Sequence, residues 1–259
     1  MIDTHCHLDC SEFETDRDQI LERCERTGIN KIVIPGVTEK GWDTILSLSK
    51  SKYNLHPALG LHPCFLNNVD QSSCQNLERF LKQDASIVAV GETGLDFFIK
   101  DYDESRQMEF FENQIELAKD VGLPLILHVR KAHDQSVKLM KQKRFDQGGI
   151  VHCYSGSLQQ AKQYLDLGFK LGIGGVITYE RSHRLQKIVK ELSLSAFVLE
   201  TDAPDIPPFG RARTRNSPEY LLEIFEAFAS YRSENAKIIK RQILMNTTEI
   251  LPRLDLSSE

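Results

Sequence analysis

The sequence predicts an α/β protein of the TIM-type (β/α)8 barrel class, with residues 1–259 forming one domain. Three observations lead there. The chain has 259 residues, and about 250 is the usual size of that fold. Short runs rich in Val, Ile and Leu recur from one end to the other without strict polar alternation, as parallel strands buried on both faces require. A longer amphipathic stretch follows each run, with no linker or low-complexity break to divide the chain.

Taken in order, the strand-like runs are 2–7, 31–36, 55–61, 87–91, 125–129, 150–154, 169–173 and 197–200. The helical patterns between and after them cover 16–27, 38–51, 75–83, 103–121, 132–144, 157–167, 183–192 and 218–230, with a closing helix near 233–251. In the fourth of these, Met108, Phe111, Ile115 and Ala118 share one face, and Gly122 and Pro124 then stop the helix. Before the eighth, Ser217 reads as an N-cap and Pro218 suits the first helical position. An open doubly wound sheet is the rival architecture. It predicts a glycine-rich phosphate loop after the first strand, where this chain has His5-Cys6-His7.

Composition narrows the function. The net charge of -5 gives no global attraction to nucleic acid, so any phosphate binding must be local. No run of about 18 apolar residues is present to span a bilayer. The N-terminus lacks the basic and apolar regions of a signal peptide, so a cytoplasmic location is expected. The 6 cysteines fall at irregular spacings without a C-x-x-C pair, which excludes a disulfide framework and a thiolate zinc knuckle. They read as reduced, mostly buried thiols.

His5 and His7 are two apart in a strand-like run and should leave the same face. Alone, the pair reads equally well as two polar residues at a strand end. Glu92 ends the fourth run, His128 lies at the end of the fifth, His152 within the sixth, and Asp202 follows the eighth. Barrel active sites form where the C-terminal ends of the strands converge, so these six side chains should meet around one axis. Imidazoles and carboxylates without thiolates suit zinc, manganese or iron in a reactive site. Six ligands exceed the needs of one tetrahedral ion, so two divalent metals are expected as cofactors, Zn, Mn or Mg among the options. Glu92 is the natural bridge, and Asp202 would act as general base while also binding metal. Paired ions activate water for hydrolysis.

Six further segments extend the pattern: Gly60-Leu61-His62-Pro63, Gly91-Glu92-Thr93-Gly94-Leu95-Asp96, His128-Val129-Arg130, His152-Cys153-Tyr154-Ser155-Gly156, Glu200-Thr201-Asp202-Ala203-Pro204 and Arg215-Asn216-Ser217-Pro218. Together with Asp3-Thr4-His5-Cys6-His7-Leu8-Asp9, their order and spacing resemble the TatD family of metal-dependent deoxyribonucleases, within the amidohydrolase-like barrels. The resemblance spans nearly the whole chain. It implies His5, His7, Glu92, His128, His152 and Asp202 as metal ligands. It further implies phosphoester hydrolysis, commonly by a nuclease acting from a 3′ end. Family members often carry an aromatic residue after the last Ala-Pro, where this chain has Asp205, an acid that would repel a nucleic-acid backbone.

Around the metals, His62 reads as a catalytic group orienting a phosphate oxygen, or else as a loop histidine beside Pro63. Arg130 matches a phosphate bidentately, or pairs with a rim acid such as Asp96. Arg211, Arg213 and Arg215, with Asn216, are the expected substrate contacts in the loop after the last strand, and a solvated basic loop is the bland alternative. His56, His133 and His183 read as structural or surface histidines, and Trp42 as packing. The expected activity is hydrolysis of phosphodiesters in DNA, with RNA as a further substrate, and nucleic acid is the substrate partner. A carboxylic ester or amide hydrolase, acting on aminoacyl-tRNA or a small molecule, uses the same centre. A catalytically silent metal-binding protein is the third reading. A monomer without membrane contact or obligate protein partner is expected.

Overall fold

In the computed structural model, which describes residues 1–52 and 54–254, eight parallel strands form one sheet in the order β1 to β8. They are β1 (Ile2–Asp3), β2 (Lys31–Pro35), β3 (Leu55–Leu59), β4 (Ala89–Asp96), β5 (Leu125–Arg130), β6 (Gly149–Val151), β7 (Phe169–Ile173) and β8 (Phe197–Leu199). The helices are α1 (Arg17–Arg26), α2 (Glu39–Ser51), α3 (Gln71–Gln83), α4 (Glu104–Val121), α5 (His133–Gln142), α6 (Leu158–Asp166), α7 (His183–Glu191), α8 (Leu221–Ser230) and α9 (Ala236–Ile250). Just past β1, Thr4 donates its N–H and its hydroxyl to the Leu199 carbonyl, both at 3.1 Å, which ties the first strand to the last. The sheet is a closed barrel, as the sequence predicts. Among the described residues, no helix is long and apolar enough to cross a membrane.

Helix ends follow local chemistry. The side chains of Asp70, Asp103 and Asn235 accept backbone N–H groups at the starts of α3, α4 and α9. Ser157 and Gln160 form a reciprocal capping box on α6. Gly122, at φ 65°, ends α4 in the left-handed conformation expected of it. Ser217 takes the N-cap position with Pro218 in the first turn, as expected, but its side chain caps no backbone N–H. Its hydroxyl donates to Glu219, and residues 218–220 make a 3-10 turn before α8 begins.

Several strands differ from expectation: β3 ends at Leu59, and β6 ends at Val151, so that His152 lies just past its strand and not within it. β1 stops at Asp3 because the Asp3 carboxylate accepts the His5 N–H at 3.2 Å and turns the backbone off the ladder. His5 and His7 therefore lie beyond the strand. β4 runs on to Asp96, paired with β5 as far as Arg130, with a register shift between Val90 and Thr93. Gly91 permits this close approach, since a Cβ there would sit 2.6 Å from the Ile126 Cβ.

Packing shows the strand period of two. Ile32, Leu59, Val90, Leu125, Leu127, Val151, Leu171 and Leu199 belong to the core between sheet and helices. Val33, Ala58, Ala89, Ile126, Ile150 and Val198 form a second cluster with Leu251 and Leu254, which follow α9. This second set fills the barrel interior. The next interior positions toward the strands' C-terminal ends, two residues on, include His128, His152 and Glu200. One apolar layer thus supports the polar layer above it.

Candidate metal centre

The polar layer is organised around the Glu92 carboxylate, which is 2% exposed. Its Oε2 lies 3.2 Å from His5 Nε2 and 3.5 Å from His7 Nε2. Asp202 Oδ1 stands 3.7 and 3.8 Å from the same two nitrogens. Glu92 Oε1 faces a different set: His128 Nδ1 at 3.0 Å, His62 Nε2 at 3.3 Å and His152 Nε2 at 3.4 Å. The two oxygens of one carboxylate therefore address separate donor groups. His5, although outside β1, is held by stacking on His152 with ring centroids 3.8 Å apart. Asp202 is clamped by its N–H donating to the His5 carbonyl at 2.8 Å, with its backbone at φ 59°. That left-handed conformation is one aspartate tolerates better than most residues.

Behind these groups stands a set of carboxylates that the strand-end argument did not pick out. Asp96 Oδ2 is 3.0 Å from His128 Nε2, and Glu200 Oε1 is 3.3 Å from His152 Nδ1. Asp3 accepts from Thr201 N–H at 3.0 Å and from its hydroxyl at 2.6 Å. Carboxylates behind ligating imidazoles fix the tautomer and leave the inward nitrogen with a free lone pair. Gly172 leaves room for Glu200, because any Cβ there would collide with its carboxylate. A signal was available: Asp3, Asp96 and Glu200 each lie within four residues of a predicted ligand, inside the same motifs.

His62 differs from its neighbours. Its Nδ1 accepts the Cys64 N–H at 3.1 Å, so the neutral ring carries its proton on Nε2 and donates toward Glu92. It is a hydrogen-bond donor at the edge of the centre.

Electrostatics shows which charge the cluster favours. Burial pushes the Glu92 carboxyl upward, but His62, His152, His5 and the His128 hydrogen bond hold it well below the usual range. Burial holds His5 well below the usual imidazole value. Burial also opposes charge on His152, yet Glu92, Asp202 and Glu200 raise it to about 10. Asp202 is raised to about 6, by burial above all, against the pull of His152 and His7. The carboxylates thus draw positive charge into the centre. Three ring nitrogens crowd one Glu92 oxygen, and the His5 and His7 Nε2 atoms face each other at 3.3 Å. Facing lone pairs repel unless a proton or a cation lies between them. This buried His/Glu/Asp set fits divalent cations.

The remaining predicted residues separate. Arg130 ends β5, with its guanidinium 3.8 Å from the centre of the Phe98 ring, and it makes no pair with Asp96, which is bound to His128. It lines a cavity of about 290 Å³ over His128, His152 and Asp202. Arg211 pairs with Glu223 at 2.7 Å, and Arg215 binds both oxygens of Asp16 at 3.0 and 2.7 Å. Among the described residues Arg213 has no ion pair. Asn216 is fully buried. It donates to the carbonyls of Thr201, Asp205 and Ile206, so it braces the loop and is not placed to touch substrate. Asp205 is exposed at the rim. His133 packs in the helical layer with Nδ1 3.3 Å from the Tyr164 hydroxyl, while His56 is buried and His183 exposed. Trp42 is fully buried, its Nε1 donating to the Gly60 carbonyl at 3.2 Å.

Comparison with known proteins accords with this geometry. Residues 2–252 match the model of the TatD-related DNase family. YjjV of Escherichia coli K12, described as an uncharacterized metal-dependent hydrolase, is 39% identical over 247 residues, covering 95% of each chain. The crystal structure of E. coli YjjV superposes with a TM-score of 0.95 at 38% identity, over 97% of this chain and 98% of that one. The 3′-5′ ssDNA/RNA exonuclease TatD of Edwardsiella piscicida is 32% identical over 272 residues, covering 98% of this chain and all of the relative. The chain belongs to the TatD-related DNase family of metal-dependent hydrolases.

Proposed function

We propose that the chain hydrolyses phosphodiester bonds of single-stranded DNA, and of RNA, from the 3′ end, with two divalent cations in the centre. The observation that carries this reading is the division of Glu92 between two donor groups. One oxygen faces His5 and His7, which Asp202 also approaches, and the other faces His128 and His152. Two cations held there would supply Lewis acidity to a phosphoryl oxygen and acidify the attacking water. The Asp202 carboxylate, 3.7 and 3.8 Å from His5 and His7, takes that water's proton, and a cation held beside it would keep it ionised. His62 Nε2–H, which points toward Glu92 in the structure, turns from it to donate to a phosphoryl oxygen as negative charge builds there. Arg130 holds the same phosphate from the rim. The P–O bond to the leaving 3′ oxygen breaks, and that oxygen takes a proton from solvent.

A carboxylic ester or amide hydrolase is the second reading. The exposed Asp205 and the pairing of Arg211 and Arg215 with carboxylates favour it, because they leave the rim beside Asp202 short of free positive charge. A panel of oligonucleotides, nitrophenyl phosphodiesters, and carboxylic esters and amides, run with Mg, Mn and Zn, decides between them. The wild type should release nucleotides from the 3′ end of single strands. Glu92→Gln should lose at least about 10³-fold, at or above the cost of removing one transition-state donor. Turnover of esters or amides alone refutes the nuclease reading.

A further inference from the structure

Beside the metal centre lies a second cavity of about 510 Å³, bounded by the first turns of α5, α6 and α7. Its cations are Arg130 and Lys131, at the end of β5, and Arg184, on α7. Lys131, at φ 58°, turns the chain sharply after the strand, which sets two consecutive cations on one rim. The cavity's acid is Asp134, whose Oδ1 accepts from Gln160 Nε2 at 2.9 Å. Among the described residues none of the three cations has an ion-pair partner. In a chain of net charge -5, three unpaired cations around one cavity are a local attraction for an anion. Arg130 and Ser155 line both this cavity and the one over the metal ligands, so the two are adjacent basins of one depression. Phe98, 55% exposed, adds an aromatic face to the wall, with Arg130 above it.

Resting on the phosphodiesterase reading above, we propose that this cavity binds the neighbouring backbone phosphate of a single-stranded substrate, with a base against Phe98. Lys131 and Arg184 are then its phosphate contacts, and Arg130 stands between the two phosphates. The polynucleotide runs from the metal centre across the ends of β5 and β6, away from the basic loop after β8. Such a site would give polynucleotide selectivity to an acidic protein whose loop arginines are largely paired with carboxylates. Grooves that combine backbone cations with aromatic faces are the general solution for single strands.

The test is anisotropy of a hydrolysis-resistant phosphorothioate oligonucleotide of about eight nucleotides, bound to the metal-loaded enzyme over a salt series. Lys131→Ala with Arg184→Ala should reduce the slope of log affinity against log salt by about 1.4, at about 0.7 for each single-strand contact. Lys131→Arg with Arg184→Lys should restore the slope. Phe98→Ala should weaken binding by about tenfold with the slope retained, because stacking releases no counterions. The preference for the oligonucleotide over a nucleoside monophosphate should fall in parallel. A double alanine variant with the wild-type slope overturns the second phosphate site, and leaves the nuclease reading standing if strands are still degraded. Equal loss for monophosphate and oligonucleotide also overturns it, since the cavity then serves a lone phosphate. A wild type that degrades and binds no polynucleotide takes both proposals down together.

Discussion

The donors inside the barrel and the basic loop beyond β8 share one rim, and they are held in place by different means. The interior donors sit on strands or just past them, above an apolar layer, and two of the imidazoles are braced by carboxylates, Asp96 for His128 and Glu200 for His152. The loop residues stand on irregular backbone, and the charges of Arg211 and Arg215 meet carboxylates brought in from elsewhere. Asp16 lies 199 residues from Arg215 in sequence. A residue's place above a strand end predicts its surroundings, whereas a cation's place in a loop does not predict which acid will neutralise it.

The largest effect that tests this contrast falls on Asp202, the one residue that belongs to both regions. Asp202→Asn keeps the shape and removes the base, so kcat should fall by about 10²–10⁴-fold while oligonucleotide affinity changes far less. Stopped-flow binding beside single-turnover cleavage reads the two separately. A variant that keeps most of its kcat removes Asp202 from proton transfer and makes the interior ring a binding device.

Next come the outer carboxylates. Asp96→Asn and Glu200→Gln keep the side-chain volume but lose the charge that orients His128 and His152. Each should weaken metal affinity by about 10–100-fold, the range for such supporting partners. Competition with a chelator, followed by elemental analysis, measures it. Affinity within a factor of two of wild type would mean that the imidazoles are held by packing alone, as His5 is by its stacking on His152.

The same distinction explains what the sequence disclosed. The barrel was legible because buried parallel strands write continuous apolar runs, and the layer rule carries that pattern up to His128 and His152. The ring of six donors was legible because motif residues fall at strand ends. Asp96 and Glu200 were not assigned, because their role depends on which ring nitrogen points outward, a matter of rotamer and not of position, and Asp3 was not because its partner Thr201 lies 198 residues away. Asn216 read as a substrate contact because a polar residue in a loop motif has two uses. Only its burial against the Thr201, Asp205 and Ile206 carbonyls separates them. Lys131 and Arg184 went unremarked because 53 residues part them in the chain, and the barrel alone makes them neighbours.

The smallest expected effect belongs to the loop. Arg211→Ala, Arg213→Ala and Arg215→Ala together remove three formal charges, and by sequence alone they would flatten the salt dependence of polynucleotide binding by about 2 in slope. Arg211 and Arg215 already have carboxylate partners, and Arg215 also lies 4.5 Å over the Phe13 ring. Removing them frees Asp16 and Glu223 but deletes no phosphate contact, so the slope should change by less than about 0.7, the share of a single contact. Stability should fall by about 1 kcal/mol at most for each exposed pair lost, read as a small shift of the urea midpoint. If the triple variant instead loses slope as the Lys131/Arg184 variant is expected to, the strand runs over the loop. Those ion pairs would then be contacts that open when substrate arrives.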